Sequence, residues 1–330
     1  MYSFGYNNIT ARNNSLYLPT ILTTETMIVA YHSLTITVLG TFFNTVTFFI
    51  LSRSNFRDTN ARPTLHYMRA MAIFDSMMLY GWNLDHYIYP IHGAYLQLSS
   101  IFACKVLSFL NYFAAQSSAW LRVFICVDRY LCLSRLHRTW FNRSRNVLII
   151  IGSIMIVLFL LNAHFFLFTC YYEADGRMTT ESWLYRVYPL WDHINLGVYN
   201  CAPFVLMVAI NSGVIYHLVR IRRSTTLQNS RLHHRAISIT LVITTFLFLL
   251  MTVPATVAFG FFSNTNRTIL RFLDGFLYTY HTLSFPLYFF TFEEFRREFI
   301  ALIMCRKVDI RIAPMPGNSI PRKQLSNNPT

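Results

Sequence analysis

The sequence predicts an all-α membrane protein: a seven-transmembrane helix bundle with a short amphipathic cytoplasmic helix after the seventh span. Three observations predict it. Hydrophobic residues make up 54% of the 330 and charged residues only 13%, about half the charged share of a soluble domain. Apolar runs of about 20 residues, the length that crosses a bilayer as a helix, recur with short polar stretches between them. Basic residues gather on alternate sides of those runs. At a mean hydropathy of +0.37, a water-soluble chain would need an outsized core, so lipid is the simpler solvent. Thirty Phe and 20 Tyr against 11 Gly and 11 Pro exclude disorder, collagen and a disulfide-stapled miniprotein.

The elements follow in order. Residues 1–26 are polar, with no basic segment leading into a short apolar one, and read as an extracellular tail, not a cleaved signal. The spans are 27–52, 64–89, 101–133, 145–168, 195–222, 235–262 and 269–291, within one transmembrane domain over 27–292. An amphipathic helix at 293–304 and a cytoplasmic tail at 305–330 complete the chain. No internal repeat or large soluble insertion interrupts it.

Orientation follows from charge. Residues 53–63, 134–145, 220–235 and 293–330 carry nineteen Lys and Arg and five acids, against six Lys and Arg on the opposite side. The positive-inside rule puts the nineteen in the cytoplasm and the N-terminus outside. That cytoplasmic excess equals the whole net charge of +14. It sets topology and meets anionic lipid heads; with no soluble basic domain, nucleic acid is not an expected partner. Asn8, Asn13 and Asn266 begin glycosylation triplets on the outer side, whereas Asn142 begins one that should be silent inside.

Of six cysteines, Cys104 at the outer end of the third span and Cys170 just past the fourth both face the oxidising side, and are expected to pair. Cys305 lies on the cytoplasmic side after the amphipathic segment, as a palmitoylation site or a free thiol. The loop after Cys170 suits a β-hairpin lid, with strands at Tyr171-Tyr172-Glu173 and Thr179-Thr180 and a turn at Asp175-Gly176.

Polar residues and prolines punctuate the spans. Asn44 lies in the first and Asp75 in the second. The third runs from Cys104 to Asp128-Arg129-Tyr130, and Pro203, Pro254 and Pro286 interrupt the fifth, sixth and seventh. A basic amphipathic turn, Phe295-Arg296-Arg297-Glu298-Phe299, follows. Taken in order and at these spacings, the set resembles the rhodopsin-like G-protein-coupled receptors over about residues 27–305. The resemblance implies a plasma-membrane receptor that activates a heterotrimeric G protein. Asp128, Arg129 and Tyr130 would be its switch, in which the acid holds the Arg at rest and releases it to the G protein. Asp75 would be the buried acid that often holds a sodium ion. Pro203, Pro254 and Pro286 would be its helix kinks.

Departures from the family are equally specific. Thr252 stands two residues before Pro254, where the family has Trp. Ser284-Phe285-Pro286-Leu287-Tyr288-Phe289 replaces Asn-Pro-x-x-Tyr, with Phe285 for the Asn and Phe289 for the Tyr. The third span also carries Arg122. Asn111, Ser118, Arg122 and Arg129 fall within about 20° of one line on a helix, so Arg122 faces the interior. Two buried opposite charges are each costly alone, and Arg122 is expected to pair with Asp75 in place of a sodium ion and to raise basal signalling. Asn44, Asp75, Ser118 and Arg122 then form a buried polar core.

Exclusion narrows the ligand. Lys occurs only at 105, 307 and 323, so the seventh span lacks a retinal lysine. Asn111 stands where amine receptors have Asp. A peptide remains, and Pro203-Phe204 with Asn211 is similar to invertebrate neuropeptide receptors. Asp85, Asn111 and Asp274, near outer aromatics such as Trp82, Tyr87 and Tyr89, are the candidate contacts for a cationic peptide. No enzymatic motif, cofactor site or metal site is found. The alternative reading is a receptor-shaped protein that does not signal and acts by dimerisation or trafficking.

Overall fold

In the computed structural model, residues 23–53, 63–133, 143–174, 176, 178–182, 190–224, 229–262 and 267–304 are described. They form a mostly helical protein. Asn8, Asn13, Asn266 and Cys305 lie outside the described residues.

The first helix, α1 (Thr24–Ser52), starts at Thr23, whose side chain accepts from the Thr26 amide. Its buried stripe, Ser33, Thr37, Gly40, Asn44, Thr47 and Leu51, repeats at intervals of three and four but is largely polar. Its exposed face carries Val38, Phe42 and Phe49. Polar inward and apolar outward is the reverse of a water-soluble helix and is what a hydrocarbon solvent demands. Among the described residues, four segments are long and apolar enough to cross a membrane: Thr24–Ser52, Ser144–Phe168, Leu190–His217 and Val242–Phe261.

Three other predicted spans take different forms. The run at 64–89 is not one helix; α2 (Thr64–Leu79) gives way to α3 (Trp82–His92). The break falls at Gly81, where an added Cβ would lie 2.9 Å from Asn111 Oδ1 and 3.4 Å from the Asn111 Cα. Only glycine lets the chain pass α4 this closely. Helix α3 ends at Gly93, whose left-handed φ of 70° forms the C-cap. Helix α4 (Ile101–Leu133) is continuous over 33 residues; Gln116, Ser117, Ser118 and Arg122 are buried along it and make it more polar than a simple span. The last run is also broken, into α10 (Arg267–Tyr280) and α11 (Ser284–Thr291). Residues 281–283 turn through bonds to carbonyls three residues back. Pro286 then sits in the first turn of α11, where its missing N–H costs least.

Helices α5 (Ser144–Asn162) and α6 (His164–Phe168) lead into the hairpin β1 (Thr169–Tyr172) and β2 (Met178–Ser182). The strands are antiparallel, Tyr171 facing Thr179, with Gly176 at φ 80° in the turn. The first strand begins two residues before its expected start, and a register irregularity falls at Cys170. The fifth predicted span comprises α7 (Leu190–Asn195), a π-helical segment (Leu196–Cys201) and α8 (Ala202–Ser224). The π turn ends just before Pro203, so the expected kink site carries an extra residue in its turn. Helix α9 (Asn229–Phe261) contains Pro254. Within it the Thr252 hydroxyl donates to the Phe248 carbonyl at 2.6 Å. Finally α12 (Glu293–Ile303) follows α11 across a single residue, Phe292.

Cys104 and Cys170 form a disulfide that closes a sequence separation of 66. It pins the hairpin to the first turn of α4. Cys104→Ser is expected to cost about 2–5 kcal/mol, seen as an earlier thermal unfolding midpoint that reductant no longer lowers.

Candidate functional site

Helix α4 threads three buried polar sites. Midway along it, Arg122 Nη2 lies 2.8 Å from Oδ2 and 3.1 Å from Oδ1 of Asp75 on α2. This is the ion pair that the helical phase of α4 anticipates. Ser118, one turn before Arg122, donates to Asp75 Oδ1 at 2.5 Å and accepts from Arg122 Nη1. His281 Nδ1 donates to Asp75 Oδ1 at 2.7 Å, and Ser284 Oγ donates to Oδ2 at 3.2 Å. The guanidinium carbon stands 4.7 Å over the Tyr280 ring. Asn44 of α1 donates to the His281 carbonyl at 3.1 Å, supporting a backbone group that the helix break frees.

Arg122, Ser118, His281 and Ser284 converge on one carboxylate, that of Asp75, which has no exposed surface. Desolvating two ions costs several kcal/mol each, and only good geometry with further hydrogen bonds repays it. Both conditions are met here. The same donors decide against a sodium ion. Both carboxylate oxygens already face N–H or O–H donors, and one is a guanidinium. Phe285, where the resembling family has an amide, stacks instead on Phe43 at 4.9 Å. The donor set does not fit a bound cation.

Toward one end of α4, Arg129 Nη2 contacts Asp128 Oδ2 at 3.1 Å. Thr64, the first residue of α2, donates its hydroxyl to the same Asp128 oxygen and accepts from Arg129. One hydroxyl therefore clamps both members of the pair. Arg129 Nε is buried with no hydrogen-bond partner among the described residues. The Tyr130 ring stands 5.5 Å from that of His217. Gly213 makes room for it, since a Cβ there would come within 2.7 Å of the tyrosine ring.

At this end α12 also docks. Glu298 is 3% exposed, 3.4 Å from Arg53 Nε. Burial pushes its carboxyl above the ordinary range, with Glu294 adding to the rise and Arg53 opposing it. The folded state thus holds this proton more tightly than the unfolded one. Its contribution is fullest below the ordinary carboxylate value and is lost as pH rises through the raised one. As pH rises from the ordinary carboxylate range through the raised one, the unfolding midpoint should fall further in the wild type than in Glu298→Gln. Equal slopes would exclude this role.

No family model and no curated protein matches the chain. The site therefore rests on its own geometry.

Around the disulfide end of α4, Asp85 is committed to the backbone: it accepts from the Leu96 amide at 2.6 Å and the Gln97 amide at 3.1 Å. Its carboxylate organises the turn between α3 and α4. Asp274 on α10 is fully buried and 2.8 Å from His86 Nε2 through Oδ2; its Oδ1 has no hydrogen-bond partner among the described residues. Asn111 accepts from the Tyr278 hydroxyl at 3.1 Å. Asp274, His86, Tyr278 and Asn111 are thus linked by a chain of contacts, the His86 and Tyr278 rings standing 6.1 Å apart.

The positions that depart from the family have other partners. Thr252 shares its one hydroxyl proton between the Phe248 carbonyl and Asn200 Oδ1, at 2.6 and 2.8 Å, and Asn200 donates to Thr256 at 2.6 Å, tying α9 to the π segment. Phe285 lies against Phe295 and Phe299, with ring centroids at 5.7 and 5.1 Å, tying α11 to α12. Sequence reasoning missed Thr64, His281 and Ser284. Of these only Thr64 left a local signal, a hydroxyl residue opening a helix directly after Pro63.

Proposed function

We propose that this chain is a seven-span plasma-membrane receptor, with its N-terminus outside, that binds an extracellular peptide and activates a heterotrimeric G protein. In this reading the three broken or polar runs also cross the bilayer, their polar atoms satisfied by one another. One observation carries it. A single helix, α4, joins the disulfide-pinned hairpin at one end to the clamped Asp128–Arg129 pair at the other, with a buried ion pair between them.

The chemistry supports a switch. Arg129 is held by groups that a competing acceptor could replace, and an arginine with two alternative partners is bistable. A ligand at the disulfide end would favour the state in which the clamp opens, by binding it better. Asp274, with one carboxylate oxygen lacking a hydrogen-bond partner among the described residues, is the interior acid best placed to meet a cationic group of that ligand. No bond is made or broken, so no catalysis is required.

A second reading has its own observation. Thr252 and Phe285 sit in the positions where the resembling family keeps its relay, and each ties helices together. A receptor-shaped protein that no longer signals would tolerate such ties. Nucleotide exchange on G proteins, measured in cells at matched surface expression with and without Arg129→Ala, separates the two. Exchange lost in the variant supports signalling. Exchange at the level of untransfected cells for both, through a broad peptide screen, supports the second reading.

A further inference from the structure

Six side chains close a ring of contacts through the middle of the protein. Asp75 meets His281 Nδ1 at 2.7 Å, and His281 Nε2 meets the Tyr199 hydroxyl at 3.1 Å. The Tyr199 ring packs edge-on against Phe248 at 5.6 Å, and Phe248 against Tyr280 at 5.5 Å. Tyr280 lies under Arg122, which returns to Asp75. The ring takes one member each from α2, the α10–α11 break, the π segment, α9, α10 and α4.

We infer that His281 is a positioning residue: it joins the polar half of this ring to its aromatic half and so ties the geometry of the Asp75–Arg122 pair to the π segment and α9. The imidazole suits the task because its two nitrogens differ. A carboxylate can only accept, so Nδ1 carries the proton toward Asp75. In the neutral ring Nε2 is left to accept from the Tyr199 O–H. Two hydrogen bonds on opposite edges of a rigid ring fix the separation of their partners. The backbone is fixed as well, because the break puts His281 outside regular helix and Asn44 holds its carbonyl. A displacement of Phe248 with α9 must then move Tyr199 or Tyr280, and either one reaches the ion pair. Asn, Phe or Leu at 281 would lack one or both bonds.

Spatial continuity alone does not establish coupling; a double-mutant cycle does. Two readouts on the full-length protein in lipid nanodiscs test it. The first is the imidazole nitrogen spectrum of histidine-labelled protein, with His281 assigned by its loss in His281→Phe. Tyr199→Phe should move the Nε2 signal, and Asp75→Asn the Nδ1 signal. An Nε2 signal that Tyr199→Phe leaves in place overturns the inference.

The second readout, which rests on the receptor reading above, is ligand-free nucleotide exchange on a reconstituted G protein. Tyr199→Phe should shift it by about fivefold, the scale one hydrogen bond supplies, and His281→Phe, which removes both bonds, should shift it in the same direction by at least as much. The double variant should shift it no further than His281→Phe alone. Effects that multiply as independent sites would overturn the inference. If wild type and Arg129→Ala exchange equally, the receptor reading fails, and the nitrogen spectrum decides the inference by itself.

Discussion

Arg122→Leu is expected to lower both stability and ligand-free signalling, and Asp75→Asn in the same chain is expected to restore much of the stability. Removing one member of a buried pair leaves the other uncompensated, at a cost of about 3–5 kcal/mol. Here the orphan would be Asp75, with no exposed surface and only His281, Ser118 and Ser284 left to it. Neutralising that orphan removes the charge while keeping an acceptor for His281. The double variant should therefore unfold later than Arg122→Leu alone, as thermal unfolding of the purified protein would report. A double variant less stable than the single one would mean that Asp75 does not depend on Arg122.

The signalling effect has a separate cause. Arg122 lies on the interior face of α4, one turn after Ser118 and two turns before Arg129. In the receptor reading, an apolar residue there would pack the resting state shut, and a guanidinium keeps that layer polar. Leu restores the apolar layer, so exchange without ligand should drop severalfold at matched surface expression. Exchange unchanged in Arg122→Leu would separate the ion pair from the switch and leave it a structural feature alone.

How far the sequence reached depends on the length scale of each signal. The Asp75–Arg122 pair was legible because helical phase puts Ser118 and Arg122 on one face and burial forces opposite charges together. The Cys104–Cys170 bridge was legible because few cysteines lie on one side. His281 was not, because it sits in a break, where periodicity ends, and is 206 residues from its acid. Gly81 shows the same limit. Hydropathy reads straight across it, while the cause of the break, contact with Asn111 on α4, is tertiary. Asp85 shows that residue type does not settle role. A carboxylate near a helix mouth was expected to meet a ligand, and two backbone amides occupy it. The same logic explains why the central helix is not among the four segments long and apolar enough to count as spans: the polar groups that make α4 the core of the site lower its hydropathy.

Thr64→Val is expected to raise ligand-free nucleotide exchange, whereas Arg129→Ala should abolish it. Thr64 is the one neutral group in the clamp, donating to Asp128 and accepting from Arg129. Valine is close to threonine in shape but leaves both bonds unmade. The direct Asp128–Arg129 contact at 3.1 Å remains, so the resting state is weakened without being dissolved. Hydrogen bonds to charged groups are worth about 1.5–3 kcal/mol each. In the receptor reading part of that loss is shared by both states of the switch, so exchange should rise about tenfold. Arg129 carries the opposite sign. In the receptor reading it is the group that the open state presents, and its removal leaves nothing to meet the G protein, however the clamp is set. The double variant Thr64→Val/Arg129→Ala must then be as silent as Arg129→Ala. Exchange in the double variant above that of Arg129→Ala would show that Thr64 restrains some other contact, and that Arg129 is held for stability alone.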